Sequence, residues 1–215
     1  AEDDQWMSVS DLMSGLMMVF VFIAIAMMRD AFVERDKIKE VAVTYHENQG
    51  QLYQRLMTEF AEDLAKWDAT IHQDTLAFDF RSPDVLFDSG RTAIKLKFQH
   101  ILADFLPRYV RVLSDFRQSV SEIRIEGHTS SDWGLAVSPE QAYFNNMRLS
   151  QGRTRAVLQY MYDLPTLHTE RPWMKKHIAA VGLSSSKAVL TAYGLEDKAR
   201  SRRVSFRVIT NAETQ

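Results

Sequence analysis

The chain has 215 residues, a net charge of −2, 25% charged and 46% hydrophobic side chains. No basic excess marks nucleic acid as a partner, and the absence of cysteine excludes disulfides and thiolate metal sites. The length accommodates one membrane-length segment and one C-terminal domain of about 140 residues with its own core.

The first element is an apolar run from Leu12 to Met28 with no charge inside it and Asp11 at its threshold. Helical geometry makes Trp6 to Met28 roughly 34 Å long, enough to cross a bilayer core. With Trp6 at one interface, Asp11 lies roughly 7 Å inside it. A carboxylate there is a functional candidate because its charge is costly in hydrocarbon; the plainer reading is an acid that ends the span. The preceding AEDDQ is acidic, and no small-residue cleavage pattern follows the run. The expectation is therefore a retained single-pass anchor rather than a signal peptide. Arg29, Arg35, Lys37 and Lys39 follow the run, and by charge alone they would place that flank in the cytoplasm.

A charged helical stretch continues from Arg29, without a breaker until Gly50. Leu52, Leu56, Phe60, Leu64, Trp67 and Ile71 then recur at helical spacing and form one apolar stripe. The main expectation for it is a core-facing helix, with a stalk that pairs with a second copy as the alternative. From Leu76 the pattern changes. LAFDF alternates as a strand, RSPDVLFDSGR is a loop, and a helix is predicted from about Thr92 to Asp115, with Pro107 kinking or dividing it. SEIRIEGHT is a second strand, SSDWGLAVSPEQAYF a loop, and Asn145 to Tyr162 a helix. Strands at HIAAVGL and RVSFRVIT close the chain. The order strand, helix, strand, helix, strand, strand predicts a two-layer α/β sandwich with right-handed crossovers.

IEGHTSSDWG, NMRLSQGRTRAVLQYM and SRRVSFRVI, in that order, resemble the OmpA-like peptidoglycan-binding domain over residues 76–210. VLFDSGRTAI matches that family's opening strand-to-helix turn. The resemblance implies a peptidoglycan site built on Asn146, Leu149 and Arg153, with Thr129 and Ser130 at the strand end. An arginine fork suits the carboxylates of wall peptides, reinforced by the N-terminus of the helix that carries it. Asn146 suits capping or ligand contact, and the seven-residue spacing puts Arg153 on its face. Many family members carry Asp directly after Gly-His-Thr, where this chain has Ser130. Either Asp132 takes its place or recognition rests on Arg153. Arg202 and Arg203 match the closing Arg-Arg-Val, with Arg203 the expected site residue.

One acidic membrane helix, a linker and this domain also resemble the B subunits of flagellar stators (MotB-like), and SVSDLMSGLMMVFVF resembles their helix signature. Ser8, Ser14 and Gly15 flank Asp11 by helical spacing and permit close helix approach. The resemblance implies that Asp11 carries an ion and that the chain forms a homodimer inside a ring of MotA-like membrane subunits. It places the chain in a bacterial inner membrane, N-terminus cytoplasmic and wall-binding domain periplasmic, against the flanking charge count. The expected organisation is a tail at 1–5, a membrane helix at 6–28, a helical neck at 29–75 and the OmpA-like domain at 76–215. The Zorya anti-phage defence motors share this layout, with a ZorA-type ring. The acidic N-terminal residues and the charged helix directly after the span favour them over flagellar stators. A passive anchor without ion flow is the other alternative. No cofactor is implied beyond the transported ion, read as a proton because no further polar ligand set surrounds Asp11.

A hydrolase built on His128, Asp132 and Ser130 or Ser131 has no G-x-S-x-G turn or base-orienting spacing to support it. The chain is therefore expected not to be an enzyme. His46, His72, His100, His168 and His177 are scattered singly and suggest no metal site.

Overall fold

The computed structural model describes residues 2–81, 83–134 and 137–211, with side chains from residue 13 onward except at 38, 40–47 and 83–84. The chain divides into two compact units, Ala1–Glu47 and Asn48–Gln215.

Helix α1 (Glu2–Trp67) runs through the first unit and opens the second. Apart from Gly15, no glycine or proline occurs before Gly50, and one glycine costs a helix only about 1 kcal/mol. Within α1, Met13–Lys37 is long and apolar enough to cross a membrane. Every side chain in that stretch is exposed, Phe20, Phe22, Ile23 and Ile25 among them. Apolar surface this continuous needs a lipid or protein cover. Asp11 and Ser8 lie in α1, but their side chains fall outside the described residues.

In the second unit, the apolar stripe faces the core. Leu52, Leu56 and Phe60 are buried there, with Leu64 and Trp67 packed against them. The Phe60 ring lies 5.3 Å from those of Phe78 and Phe105. Residues 52–67, expected in a neck, thus supply core to this unit. Asp68 adopts φ 49°, and a left-handed residue ends a helix. Ile71, expected as the last member of the helical stripe, lies instead in strand β1 (Ala69–His72).

With β2 (Ala77–Phe80), β3 (Val120–His128), β4 (Ile178–Ser184) and β5 (Arg203–Thr210), it forms one sheet in the order β1-β2-β5-β3-β4. β3 and β4 are parallel, and the other neighbours are antiparallel. The short α2 (Pro83–Leu86) and α3 (Leu96–Ser114) link β2 to β3, and α4 (Pro139–Asp163) links β3 to β4. A 3-10 helix (Pro165–Glu170) and α5 (Arg171–His177) precede β4; α6 (Lys198–Ser201) precedes β5. The expected α/β sandwich is present, with β1 as an additional edge strand. Pro107 sits inside α3 without dividing it.

Alternation along the strands separates the two faces of the sheet. Phe78, Phe80, Ile123, Ile125, Val204, Phe206 and Val208 are buried in the core. Arg108 ties α3 to α1: its Nε is 2.7 Å from Glu59 Oε1, Nη1 is 2.8 Å from Asp63 Oδ2, and its guanidinium covers the Phe60 ring at 4.7 Å.

Candidate functional site

Two glycines set the position of α4 on the sheet. A Cβ on Gly127 of β3 would lie 2.8 Å from both the Ser150 carbonyl oxygen and Thr154 Cγ2. On Gly182 of β4 it would lie 2.4 Å from the Gln151 backbone nitrogen. Side chains at either position would lift the helix off the strands. Ser150, 1% exposed, adds a clamp: its hydroxyl accepts from the Ser184 N–H at 3.2 Å and donates to the Met147 carbonyl at 3.0 Å. The serine of the Leu149-Ser150 pair is thus a packing residue.

Close docking brings Asn146, Leu149 and Arg153 over the end of β3, where Thr129 follows. Together with Ser130, Asp132, Trp133, Phe87, Lys198 and Arg202 they line a cleft of about 440 Å³. Asn146 is 3% exposed, and its Nδ2 donates to the carbonyl oxygens of Ser130 and Asp132 at 3.1 Å each. It fixes the loop after β3 rather than capping the helix. The cap is Ser138, whose side chain accepts from the Gln141 N–H, with Pro139 as the first helical residue. Arg153 therefore lies about 21 Å along α4 from its start, beyond the reach of a helix-terminal field. That corrects the expectation of dipole assistance.

Other groups position Arg153. Its Nε donates to the Arg91 carbonyl at 3.0 Å and its Nη2 to that of Asp88 at 3.2 Å, while Phe87 lies beneath the guanidinium at 4.8 Å. Among the described residues it pairs with no carboxylate. Burial, with the nearby Arg202 charge, lowers its pKa to about 10, so it stays cationic at neutral pH. An anion in the cleft would meet a fork already oriented by two carbonyls.

Asp132 lines the cleft, with its Oδ2 2.7 Å from Lys198 Nζ. Ser131 donates through both its backbone N–H and its hydroxyl to Glu196. These contacts fasten the loop to the segment before β5. The Thr129 N–H bonds the Ser184 carbonyl at 2.9 Å, while its hydroxyl is buried without a partner among the described residues. Three cations, Arg153, Lys198 and Arg202, thus face one carboxylate.

Arg203 lies outside this cleft, correcting its expected place there. As the first residue of β5, it points with Ser205 and Arg207 to the opposite sheet face, its Nε 3.4 Å from Asp79 Oδ2. Arg202, one residue before the strand, reaches the cleft instead. Sequence reasoning also missed Phe87, Trp133 and Lys198; the match of VLFDSGRTAI to the family turn already contained Phe87. His128 is buried at the end of β3, with Nε2 3.3 Å from Glu126 Oε2 but no aligned hydrogen bond. No group of three or more metal-ligating side chains occurs among the described residues.

No protein-family model matches the chain. It is 55% identical over 214 residues to the Zorya protein ZorB of Escherichia coli, covering 100% of this chain and 91% of that protein. Its structure is similar to that of a MotB-like protein from Desulfovibrio vulgaris. That match has a TM-score of 0.54 and 21% identity, over 78% of this chain and 94% of the other. The cell wall anchor of the type VI secretion system from Pseudomonas aeruginosa aligns over 73% of this chain and 97% of its own, with 22% identity and a TM-score of 0.49.

Proposed function

The chain belongs to the family of the Zorya protein ZorB, and from that premise we propose that it is the wall-anchored, non-enzymatic stator subunit of a proton-driven membrane motor in anti-phage defence. Its C-terminal unit binds peptidoglycan through the Arg153 cleft. Its apolar helix crosses the inner membrane once, with the N-terminus cytoplasmic and the cleft periplasmic. Two copies stand inside a ring of MotA-like, ZorA-type subunits, and Asp11 of each copy carries the ion. Family membership favours this role over that of a flagellar stator.

The observation that carries the wall-binding reading is the state of Arg153: half-buried, aimed by two carbonyls and a ring, and paired with no carboxylate among the described residues. Thr129 and the loop held by Asn146 complete the recess around it. A wall-peptide carboxylate supplies the missing partner. Asp132, already on Lys198, is the acid nearest the position where relatives of the fold carry Asp, and the pair opens to meet a ligand ammonium group. Anchoring gives the motor its fixed frame. Each unit charge crossing the membrane supplies about 2.3 kcal/mol per 100 mV, and a held pair of B chains turns that energy into motion of the ring.

Pelleting of the detergent-solubilised chain with purified peptidoglycan sacculi tests the anchor. Wild type co-sediments and Arg153→Ala stays in the supernatant with its fold intact by circular dichroism. Undiminished sedimentation of Arg153→Ala would remove the cleft from wall binding.

A further inference from the structure

The sheet face turned away from the helices carries a second cleft, of about 710 Å³, which the wall-binding reading leaves unused. Arg81, Arg124, Lys187, Arg200, Arg203 and Arg207 line it against three carboxylates, Asp74, Asp79 and Glu126. That excess of positive charge is concentrated on one face of a chain whose net charge is −2.

The strand register makes the arrangement specific. Arg124 of β3 stands directly opposite Arg207 of β5, and His128 stands opposite Arg203. Like charges on facing positions of neighbouring strands oppose pairing. The rung between them holds Glu126, Ser205 and Asp79, but these acids have nearby partners. Asp79 Oδ2 lies 3.1 Å from His72 and 3.4 Å from Arg203, and Glu126 lies 3.3 Å from His128. Glu122 holds Arg124 from the strand, with two contacts of 3.1 Å. Arg81 donates to Thr70 at 2.8 Å through Nη2, while its Nε is buried without an acceptor among the described residues. Cationic side chains thus reach this cleft from β3 and β5, from the residue after β2, from the segment after β4 and from α6.

We propose that this second cleft binds a phosphate-type oxyanion, separately from the wall-peptide cleft. A planar carboxylate is satisfied by one guanidinium fork. A phosphate carries close to two charges and three strong acceptor oxygens in a tetrahedral array, which suits forks arriving from two strands and their flanking segments. Free phosphate and the terminal phosphate monoester of an envelope headgroup share this chemistry.

The test is calorimetric titration of the full chain in neutral detergent micelles at low ionic strength. Inorganic phosphate is used in one series and glycerol 3-phosphate in another. Saturable binding is expected, weakened at least about tenfold in Arg124→Gln/Arg207→Gln through loss of two charge-assisted contacts. The double variant stays folded by circular dichroism and still pellets with sacculi. Arg153→Ala keeps phosphate binding, so failure here and failure of the wall-binding reading are distinguishable. Equal affinity for both probes identifies the oxyanion itself as ligand; binding of glycerol 3-phosphate alone identifies a headgroup. Absence of saturable binding by both probes, or binding unchanged in the folded double variant, would overturn the proposal.

Discussion

The guanidinium carbon of Arg153 lies 4.8 Å from the centre of the Phe87 ring. This contact joins α4 to the turn before α3, across 66 residues of sequence. It also explains why charge alone does not suffice at Arg153. The ring and two backbone carbonyls fix a planar fork, and an ammonium group cannot reproduce that geometry. Arg153→Lys is expected to weaken sacculus binding about tenfold, roughly 1.4 kcal/mol. Phe87→Leu, which leaves the cation but removes its platform, should lose about 0.5–1 kcal/mol of binding. Sedimentation isotherms measure both; wild-type binding by Arg153→Lys would show that only charge is read.

Arg108 is the chief polar fastener between α3 and the end of α1, bonded to Glu59 and Asp63 and stacked on Phe60. The hydrogen bond from Arg108 holds the Asp63 carboxyl below the usual carboxylate range, against the opposing effect of burial. Arg108→Met keeps the packing volume and removes the charge. It is expected to cost about 1–2 kcal/mol, lowering the thermal midpoint by about 2–8 °C for a unit of this size. Differential scanning calorimetry checks this, and an unchanged midpoint would show the network to be neutral.

His72 and Asp79 make a pH-dependent contribution. The hydrogen bond to Asp79 raises the His72 pKa, outweighing burial. Burial pushes the Asp79 carboxyl up, but hydrogen bonding, from His72 foremost, and the positive charges of Arg203 and His72 outweigh it, leaving the pKa lowered. The histidine contribution is complete below its unfolded value of about 6.5 and is lost as pH rises through the raised folded value. The aspartate contribution is complete above about 3.9 and is lost as pH falls through the depressed folded value. The stability difference between wild type and His72→Gln should therefore be largest near about pH 5 and shrink by about pH 8. Thermal melts across that range report it; a difference independent of pH would contradict the pairing.

Much of this arrangement was legible in the sequence, and the misses have physical causes. The spacing of Leu52, Leu56 and Phe60 gave a core-facing helix, but Ile71 continued the same period into a strand. Asp68, in the left-handed region, breaks the helix between them, and nothing in an Asp-Ala-Thr sequence requires that conformation. The start of α4 carries a readable signal. Ser138, Pro139 and Gln141 form an N-cap, a first-turn proline and a capping-box position, within a segment whose turn formers suggested a loop. Thr129, Ser130, Asp132, Asn146, Leu149 and Arg153 all reach one cleft. Arg203 does not, because alternation in β5 sends it to the face of Ser205 and Arg207 while Val204 and Phe206 enter the core. Phe87 and Lys198 were hidden because their approach to Arg153 and Asp132 depends on tertiary packing.

Asp11 lies at the centre of the account, and proton flux tests its role most directly. The chain is co-expressed with its membrane partner, reconstituted into vesicles and followed with an interior pH dye under an imposed potential. Wild type is expected to admit protons, and Asp11→Asn, which keeps the shape and removes titration, to reduce the flux to that of empty vesicles. Full flux through Asp11→Asn, or none through wild type, would contradict the ion-carrier role and leave a passive tether between membrane and wall.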